Sequence, residues 1–325
     1  MRAVTISAQQ GGGKLVLSRT EPPKPGADEV LIEVAASGVN RADLLQRDGH
    51  YPPPSGAPPF PGLEVSGTVV AVGDAVTDRA VGDRVVALLE GGGYAEAVAV
   101  RATQTLPVPD GVDLVDAAAL PEAVCTAWTN LVDTGRLAPG EWLLVHGGSG
   151  GVGSIAVQLG AALGAHVVAT AGGRERAERC RGLGAEAVVD HRHEDFVAAV
   201  RAASAGHGAD VVLDVVGAAK LPDNVRVLAP GGRLVVIGLQ RGRRGELDLN
   251  ALMTKRATVT GTTLRSRSPQ EKAAIVAAVG EHVWPMVAGG RVRPVVHARV
   301  PLADAADAMA LLERGEAFGK LLLVP

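Results

Sequence analysis

The sequence predicts an α/β protein in two parts, a β-rich segment joined to a doubly wound parallel sheet. Three observations carry this. The first third of the chain holds short alternating apolar runs cut by glycine, proline and aspartate turns. After about Pro121 apolar strand-like and helix-like segments alternate, as in a parallel sheet covered on both faces. A glycine-rich turn stands between the first such strand and helix.

The 325 residues exceed one ordinary domain, and 47% hydrophobic with 21% charged residues is a normal globular balance. Aromatic residues are only 2% of the chain, so valine, alanine and leucine must fill the core. No apolar run is long enough for a membrane span, and the opening MRAVTISAQQGGGKLVL alternates like a strand without an apolar signal core. We therefore expect a cytoplasmic protein. Cys125 and Cys180 are the only cysteines, too few for a disulfide framework or a four-cysteine zinc lobe. A net charge of −3 offers no basic field for nucleic acid, and the clusters Arg241–Arg244 and Arg265–Arg267 read as solvated loops.

In the first part, strands are expected at Val30–Val34, Gly67–Val72, Arg84–Leu88 and Tyr94–Val100. The proline-dense segment Tyr51–Pro61 is a loop, because proline removes ladder and helix donors. Pro121–Asp133 reads as a helix. Then come the strand Glu141–His146, the helix Gly153–Leu163, the strand His166–Thr170 and the helix Glu175–Leu183. Ala187–Val189, a helix near Asp195–Ala203, the strand Asp210–Asp214, a helix near Leu221–Leu228, the strand Arg233–Ile237 and Ala257–Thr263 follow. Beyond Leu264 a long helix, a strand at Val292–Ala298, the helix Ala303–Arg314 and the strand Lys320–Val324 are too short for a third domain. They are expected to return to the first part.

Gly148, Gly150 and Gly153 have the G-x-G-x-x-G spacing, preceded by an apolar strand and followed by an apolar helix and a second strand. In a Rossmann unit such glycines allow a tight turn, close approach to a pyrophosphate and close helix packing. The phosphates then face backbone N–H groups at a helix N-terminus. An NAD-preferring site carries an acid at the end of the second strand. Here that strand runs into Ala171-Gly172-Gly173-Arg174-Glu175-Arg176. Arginine binds a 2′-phosphate that a carboxylate would repel, so NADPH is the expected cofactor. Arg174 and Arg176 also suit the exposed first turn of the next helix.

These motifs resemble the zinc-independent quinone oxidoreductase branch of the medium-chain dehydrogenase/reductase superfamily, nearest the stress-inducible quinone reductases, with zeta-crystallin more distant. The resemblance rests on Ala35–Arg47, Gly49–Pro54, Pro61–Gly67, Ala118–Glu122, the glycine loop, Thr170–Gly172, Leu228–Arg233 and Leu264–Arg267. It implies a GroES-like catalytic domain over 1–121 and 266–325, a Rossmann NADPH-binding domain over 122–265, and a homodimer. Substrate and nicotinamide would meet between the domains. Zinc-dependent relatives carry a Cys where Asn40 stands and His-Glu where Leu63-Glu64 stands, so no metal is expected.

Matching motif to motif, the resemblance places Tyr51 and Asn40 beside the nicotinamide and substrate. It places Gly150, Gly151, Val152 and Gly153 at the pyrophosphate, and Gly172 and Arg174 at the adenosine phosphate. His191 falls beside the adenosine, and Gly238, Leu239, Thr263 and Leu264 flank the nicotinamide. Some relatives have Ser at the position of Gly150 and Lys near Glu175, which bears on cofactor grip. Without a Lewis acid, an electron-poor quinone accepts hydride more readily than an alcohol gives it up. Quinone reduction is the leading expectation and reduction of an enone or enoyl thioester the alternative. A regulatory, RNA-binding or structural protein that holds NADPH with little turnover is the reading from another class.

Overall fold

A computed structural model describes residues 1–7 and 13–325; positions 8–12 of the alternation expected at the amino terminus lie outside the described residues. The strands, in chain order, are β1 (Arg2–Ser7), β2 (Lys14–Arg19), β3 (Glu29–Gly38), β4 (Glu64–Val72), β5 (Arg84–Leu88), β6 (Ala97–Arg101) and β7 (Thr105–Pro107). Then follow β8 (Trp142–Val145), β9 (His166–Ala171), β10 (Ala187–Asp190), β11 (Ala209–Asp214), β12 (Leu228–Val236) and β13 (Thr258–Gly261). The chain closes with β14 (Val296–Pro301) and β15 (Lys320–Val324). Two compact units result: Met1–Cys125 with Leu264–Gly289 and Pro294–Pro325, and Thr126–Thr263 with Gly290–Arg293.

The first unit is built on a sheet of order β14-β15-β3-β4-β5-β7, with β6 also paired to β3. Val30, Ile32 and Val34 occupy alternate positions of β3 and pack on Val65, Val69, Val85, Ala87, Val98 and Val100. That period of two follows from the pleat, and each fully buried Val or Ile contributes about 1.5–3 kcal/mol. The carboxyl-terminal strand does return to this unit, where Leu322 and Leu323 of β15 pair with Gly38 and Ser37 of β3. This pairing brings Lys320, the first residue of β15, to the amino-terminal part of the chain.

The second unit is a sheet of order β10-β9-β8-β11-β12-β13, and every pairing in it is parallel. Leu143–Val145, Val167–Ala169 and Val211–Leu213 are wholly buried, as strands covered on both faces require. The chain winds outward from β8 through β9 to β10, then crosses back to β11 on the other side of β8. In such sheets ligands bind outside the carboxyl ends of the strands at this reversal.

Several expected elements differ in their bounds, as where β6 starts at Ala97 rather than Tyr94 and β12 at Leu228 rather than Arg233, and three of the differences have a local cause or bear on the site. The helix beginning at Pro121 is α-helical only to Trp128 and continues as a π-helical turn, Thr129–Thr134. The Asn130 amide donates to the Thr126 carbonyl (2.8 Å), taking the acceptor that its own backbone N–H would use in an α-helix. The helix after the glycine loop starts at Gly151 rather than Gly153. The strand expected at Val292–Ala298 begins only at Val296, since Pro294 cannot donate to a ladder.

Candidate active site

In the second unit β8 leads through the glycine turn into the helix Gly151–Ala162. The left-handed residue is Gly147 (φ 70°), whose carbonyl accepts from Gly150 N–H at 2.9 Å. The sharp turn therefore falls one residue before the spaced motif, on a glycine that sequence reading left without a role. A Cβ on Gly153 would overlap the Gly147 carbonyl oxygen, and one on Gly148 would come within 2.9 Å of the Ala169 methyl. Glycine at these positions lets the helix N-terminus close on the loop. The first intrahelical bond is Ser154 N–H to Gly150 C=O. The N–H groups of Gly151, Val152 and Gly153 are thus left facing outward at the positive end of the helix dipole, a donor set that suits a pyrophosphate.

The other cofactor candidates of this unit lie at the same carboxyl edge of the sheet. Gly172 follows β9, and Arg174 begins the helix Arg174–Arg181, which also contains the half-buried Arg176. His191 follows β10, and its imidazole approaches a Cβ position on Gly172 to 3.2 Å. Burial holds its pKa below the ordinary histidine value. Arg192, which sequence reading passed over, lies against the same glycine, with Nε 3.3 Å from that Cβ position. Its backbone N–H and that of Gly173 donate to Asp190 Oδ1 at 3.1 and 2.8 Å. The available signal was the charged run Asp190-His191-Arg192-His193 at a strand end. Gly238 follows β12, where a Cβ would come 2.8 Å from the Val215 carbonyl; Leu239 is exposed and Thr263 follows β13.

Behind the glycine loop His146 is 2% exposed. Its Nε2–H donates to Asn224 Oδ1 (2.7 Å), since an amide oxygen only accepts, and Nδ1 lies 3.2 Å from Thr170 Oγ1. Burial pushes its pKa down to about 4, so it is a neutral structural pin between β8 and β9.

The first unit holds the remaining candidates around a buried charge cluster. Asn40 caps the helix Arg41–Arg47, and its backbone N–H donates to Asp43 Oδ2 at 2.8 Å. Its side chain reaches Glu64: Nδ2 donates to Oε1 at 2.8 Å, while Oδ1 accepts from Lys320 Nζ at 2.5 Å. Lys320 also binds Glu64 Oε1 directly, and Glu64 Oε2 accepts the Glu122 N–H at 2.9 Å. Asp43 accepts from Gly62 N–H and the Tyr94 hydroxyl, both at 3.0 Å; burial nevertheless pushes its pKa up to about 6.

Tyr51 is half-buried in its proline loop, and burial, then the charge of Glu122, raises its hydroxyl pKa. The Arg265 guanidinium stands 5.4 Å from the Tyr51 ring centroid, donates to the Glu90 carbonyl (2.7 Å) and reaches the Tyr51 carbonyl (3.3 Å). Its Nη2 is buried with no hydrogen-bond partner among the described residues. Leu264 precedes it and is buried in the same unit. Sequence reading named Asn40, Tyr51 and Leu264 here. It assigned no role to Asp43, Glu122 or Lys320, the last of which arrives only through the pairing of β15 with β3, and it read Arg265 as part of a solvated loop, whereas Arg265 is buried with its guanidinium on the Glu90 and Tyr51 carbonyls.

Residues 26–110 match the alcohol dehydrogenase GroES-like domain, and residues 151–279 match the zinc-binding dehydrogenase family. The quinone oxidoreductase of Rattus norvegicus is 32% identical over 332 residues, covering 100% of this chain and 98% of that protein. A phenolphthiocerol/phthiocerol polyketide synthase of Mycobacterium tuberculosis is 34% identical over 324 residues, 99% of this chain. The chain spans only 15% of the length of that synthase. The Escherichia coli quinone oxidoreductase solved with NADPH has a TM-score of 0.88 at 29% identity, covering 100% of this chain and 99% of the other. CurK enoyl reductase has a TM-score of 0.86 at 27% identity, covering 99% and 98%.

Fold and matches define a chain built of a GroES-like sheet and a parallel Rossmann-like sheet. The chain belongs to the medium-chain dehydrogenase/reductase superfamily, with quinone oxidoreductases among its relatives.

Zinc, which one matching family description names, does not fit the residues present. Among the described residues no three His, Cys, Asp or Glu side chains are grouped to hold a metal. Where relatives place ligands, Asn40 and Glu64 instead hold the Lys320 ammonium. Both cysteines are buried, Cys125 on the helix that carries Glu122 and Cys180 in the second unit. No helix among the described residues is long and apolar enough to cross a membrane.

Proposed function

We propose that the chain is a zinc-independent, NADPH-dependent quinone reductase. One observation carries this reading: the cation beside Asn40 and Glu64 is the Lys320 ammonium, which donates to Asn40 Oδ1 and Glu64 Oε1. Such a group cannot act as the Lewis acid that alcohol oxidation needs. The acceptor must therefore take up hydride unaided by a metal, and quinones do so.

NADPH, when bound, supplies a hydride from its nicotinamide. In this reading Gly148, Gly150, Gly151, Val152 and Gly153 hold its pyrophosphate at the helix N-terminus. Gly172, Arg174, Arg176 and Arg192 receive the 2′-phosphate, and His191 packs on the adenosine. Gly238, Leu239, Thr263 and Leu264 flank the nicotinamide. Tyr51 orients the acceptor, and Asn40, its amide held by Lys320 and Glu64, lines the same site. The same proposal includes a homodimer and a cytoplasmic location.

The second reading is an NADPH-dependent reductase of enones or enoyl thioesters. The polyketide synthase relative and the enoyl reductase neighbour support it. Consumption of NADPH with 1,4-benzoquinone, 9,10-phenanthrenequinone and a small enone separates the two. Turnover of quinones well above that of the enone supports the first reading, and the reverse order supports the second. Oxidation of NADPH no faster with any acceptor than without one refutes both.

A further inference from the structure

Five polar side chains of this cluster, Lys320 among them, are buried and hydrogen-bonded. Asn40, Glu64 and Lys320 bind one another, and Asp43 takes the Tyr94 hydroxyl with two backbone N–H groups. Glu122 differs from all of them. It lies at the start of the helix Pro121–Trp128, tied to the cluster only by its backbone N–H on Glu64 Oε2 (2.9 Å). Its side chain is half-buried, and its carboxyl has no hydrogen-bond partner among the described residues. The cluster thus has one member that is both reachable and uncommitted.

We propose that Glu122 is the proton donor of the acceptor site, delivering a proton to carbon when a conjugated enone is reduced. This rests on the reductase reading above and specifies the chemistry of its enone branch. The acceptor β-carbon gains the hydride supplied by a dihydronicotinamide, which is oxidised, and the C=C electron pair moves onto the carbonyl oxygen as an enolate. The Glu122 O–H bond then breaks as a C–H bond forms at the α-carbon and the carbonyl re-forms. Water returns a proton to the carboxylate. A quinone ends with both protons on oxygen, where water supplies them rapidly, so it has little need of the carboxyl.

The electrostatics agree. The groups facing Glu122 are Glu64 from β4, Asp43 from the helix Arg41–Arg47, Lys320 from β15, Arg265, Tyr51 in its loop, and Cys125 on its own helix. Burial first, then the charge of Glu64, outweighs Lys320 and Arg265 and pushes the carboxyl up to about 8. It therefore carries its proton at neutral pH, as a general acid must.

The test uses the full chain with Glu122→Gln and Glu122→Asp. Glu122→Gln should lower kcat for 3-penten-2-one by about 10²–10⁴-fold, the span of general acid catalysis, and 1,4-benzoquinone turnover by less than about threefold. Glu122→Asp should restore part of the enone rate. The wild-type enone rate should fall as pH rises through about 8, and this limb should vanish in Glu122→Gln. Independently of turnover, infrared difference spectra against Glu122→Gln should show a protonated carboxyl at pH below about 7 that titrates with a midpoint near 8. A missing protonated band overturns the assignment, as does an equal loss toward both acceptors, which marks a structural role. A wild-type protein that reduces quinones but no enone also overturns it while leaving the quinone reading intact. A wild-type protein that reduces neither acceptor sinks the reductase reading itself.

Discussion

Replacing Lys320 by methionine tests the electrostatic centre of the first unit. Lys320 is 3% exposed and Glu64 is fully buried, so water screens neither charge. Removing the ammonium leaves the Glu64 carboxylate with the Asn40 amide and the Glu122 N–H as its remaining donors. Breaking one side of a buried ion pair costs about 3–5 kcal/mol, because the orphaned charge keeps its desolvation penalty. Replacing both partners removes the charge as well. Lys320→Met should therefore destabilise the first unit by about 3–5 kcal/mol, and adding Glu64→Gln should recover most of that loss. Urea unfolding followed by Trp284 fluorescence, with Trp128 and Trp142 changed to Phe, reads this unit alone, since only Trp284 belongs to it. A loss below about 1 kcal/mol for Lys320→Met, or a double variant no more stable than the single, would refute the reasoning.

Four further outcomes follow from the geometry. Gly153→Ala puts a methyl against the Gly147 carbonyl and should weaken NADPH binding at least about tenfold in a fluorescence titration. Arg192→Ala should cut the preference for NADPH over NADH by about tenfold, roughly the loss of one charge-assisted bond, as measured by the two dissociation constants. Tyr51→Phe keeps the ring on Arg265 but removes the hydroxyl, and should lower turnover about tenfold or more with thermal stability unchanged. For His146 the folded pKa is depressed to about 4, so between pH 6.5 and 4 the unfolded chain binds the extra proton and stability falls as pH falls. The loss should approach about 3 kcal/mol at the acid end, and urea midpoints of wild type and His146→Gln should converge there.

Much of this was legible before any coordinates. A pleat turns side chains over every second residue, so Arg84–Leu88 and Lys320–Val324 read correctly as strands from their apolar runs alone. The glycine loop was legible because its strand, spacing and helix are contiguous in the chain. Even there, the residue that takes the left-handed turn is Gly147 rather than a member of the spaced set, because spacing records which positions lack a side chain and not which φ each adopts. The π-helical turn at Thr129–Thr134 was hidden for a similar reason: it depends on where the Asn130 amide points.

By itself, the order of residues determined the parallel sheet and the glycine turn between its first strand and helix, both of which are local patterns of periodicity and spacing. Only the tertiary structure decided what stands beside Asn40 and Glu64. Lys320 is 256 residues from Glu64, and nothing near either residue announces the other. Their meeting is fixed by the pairing of β15 with β3, and a buried carboxylate needs a counter-charge from whichever strand can deliver one. The same long-range closure sets Lys320 beside Glu64, while burial and the charges of Glu64 and Asp43 raise the Glu122 carboxyl above its ordinary value.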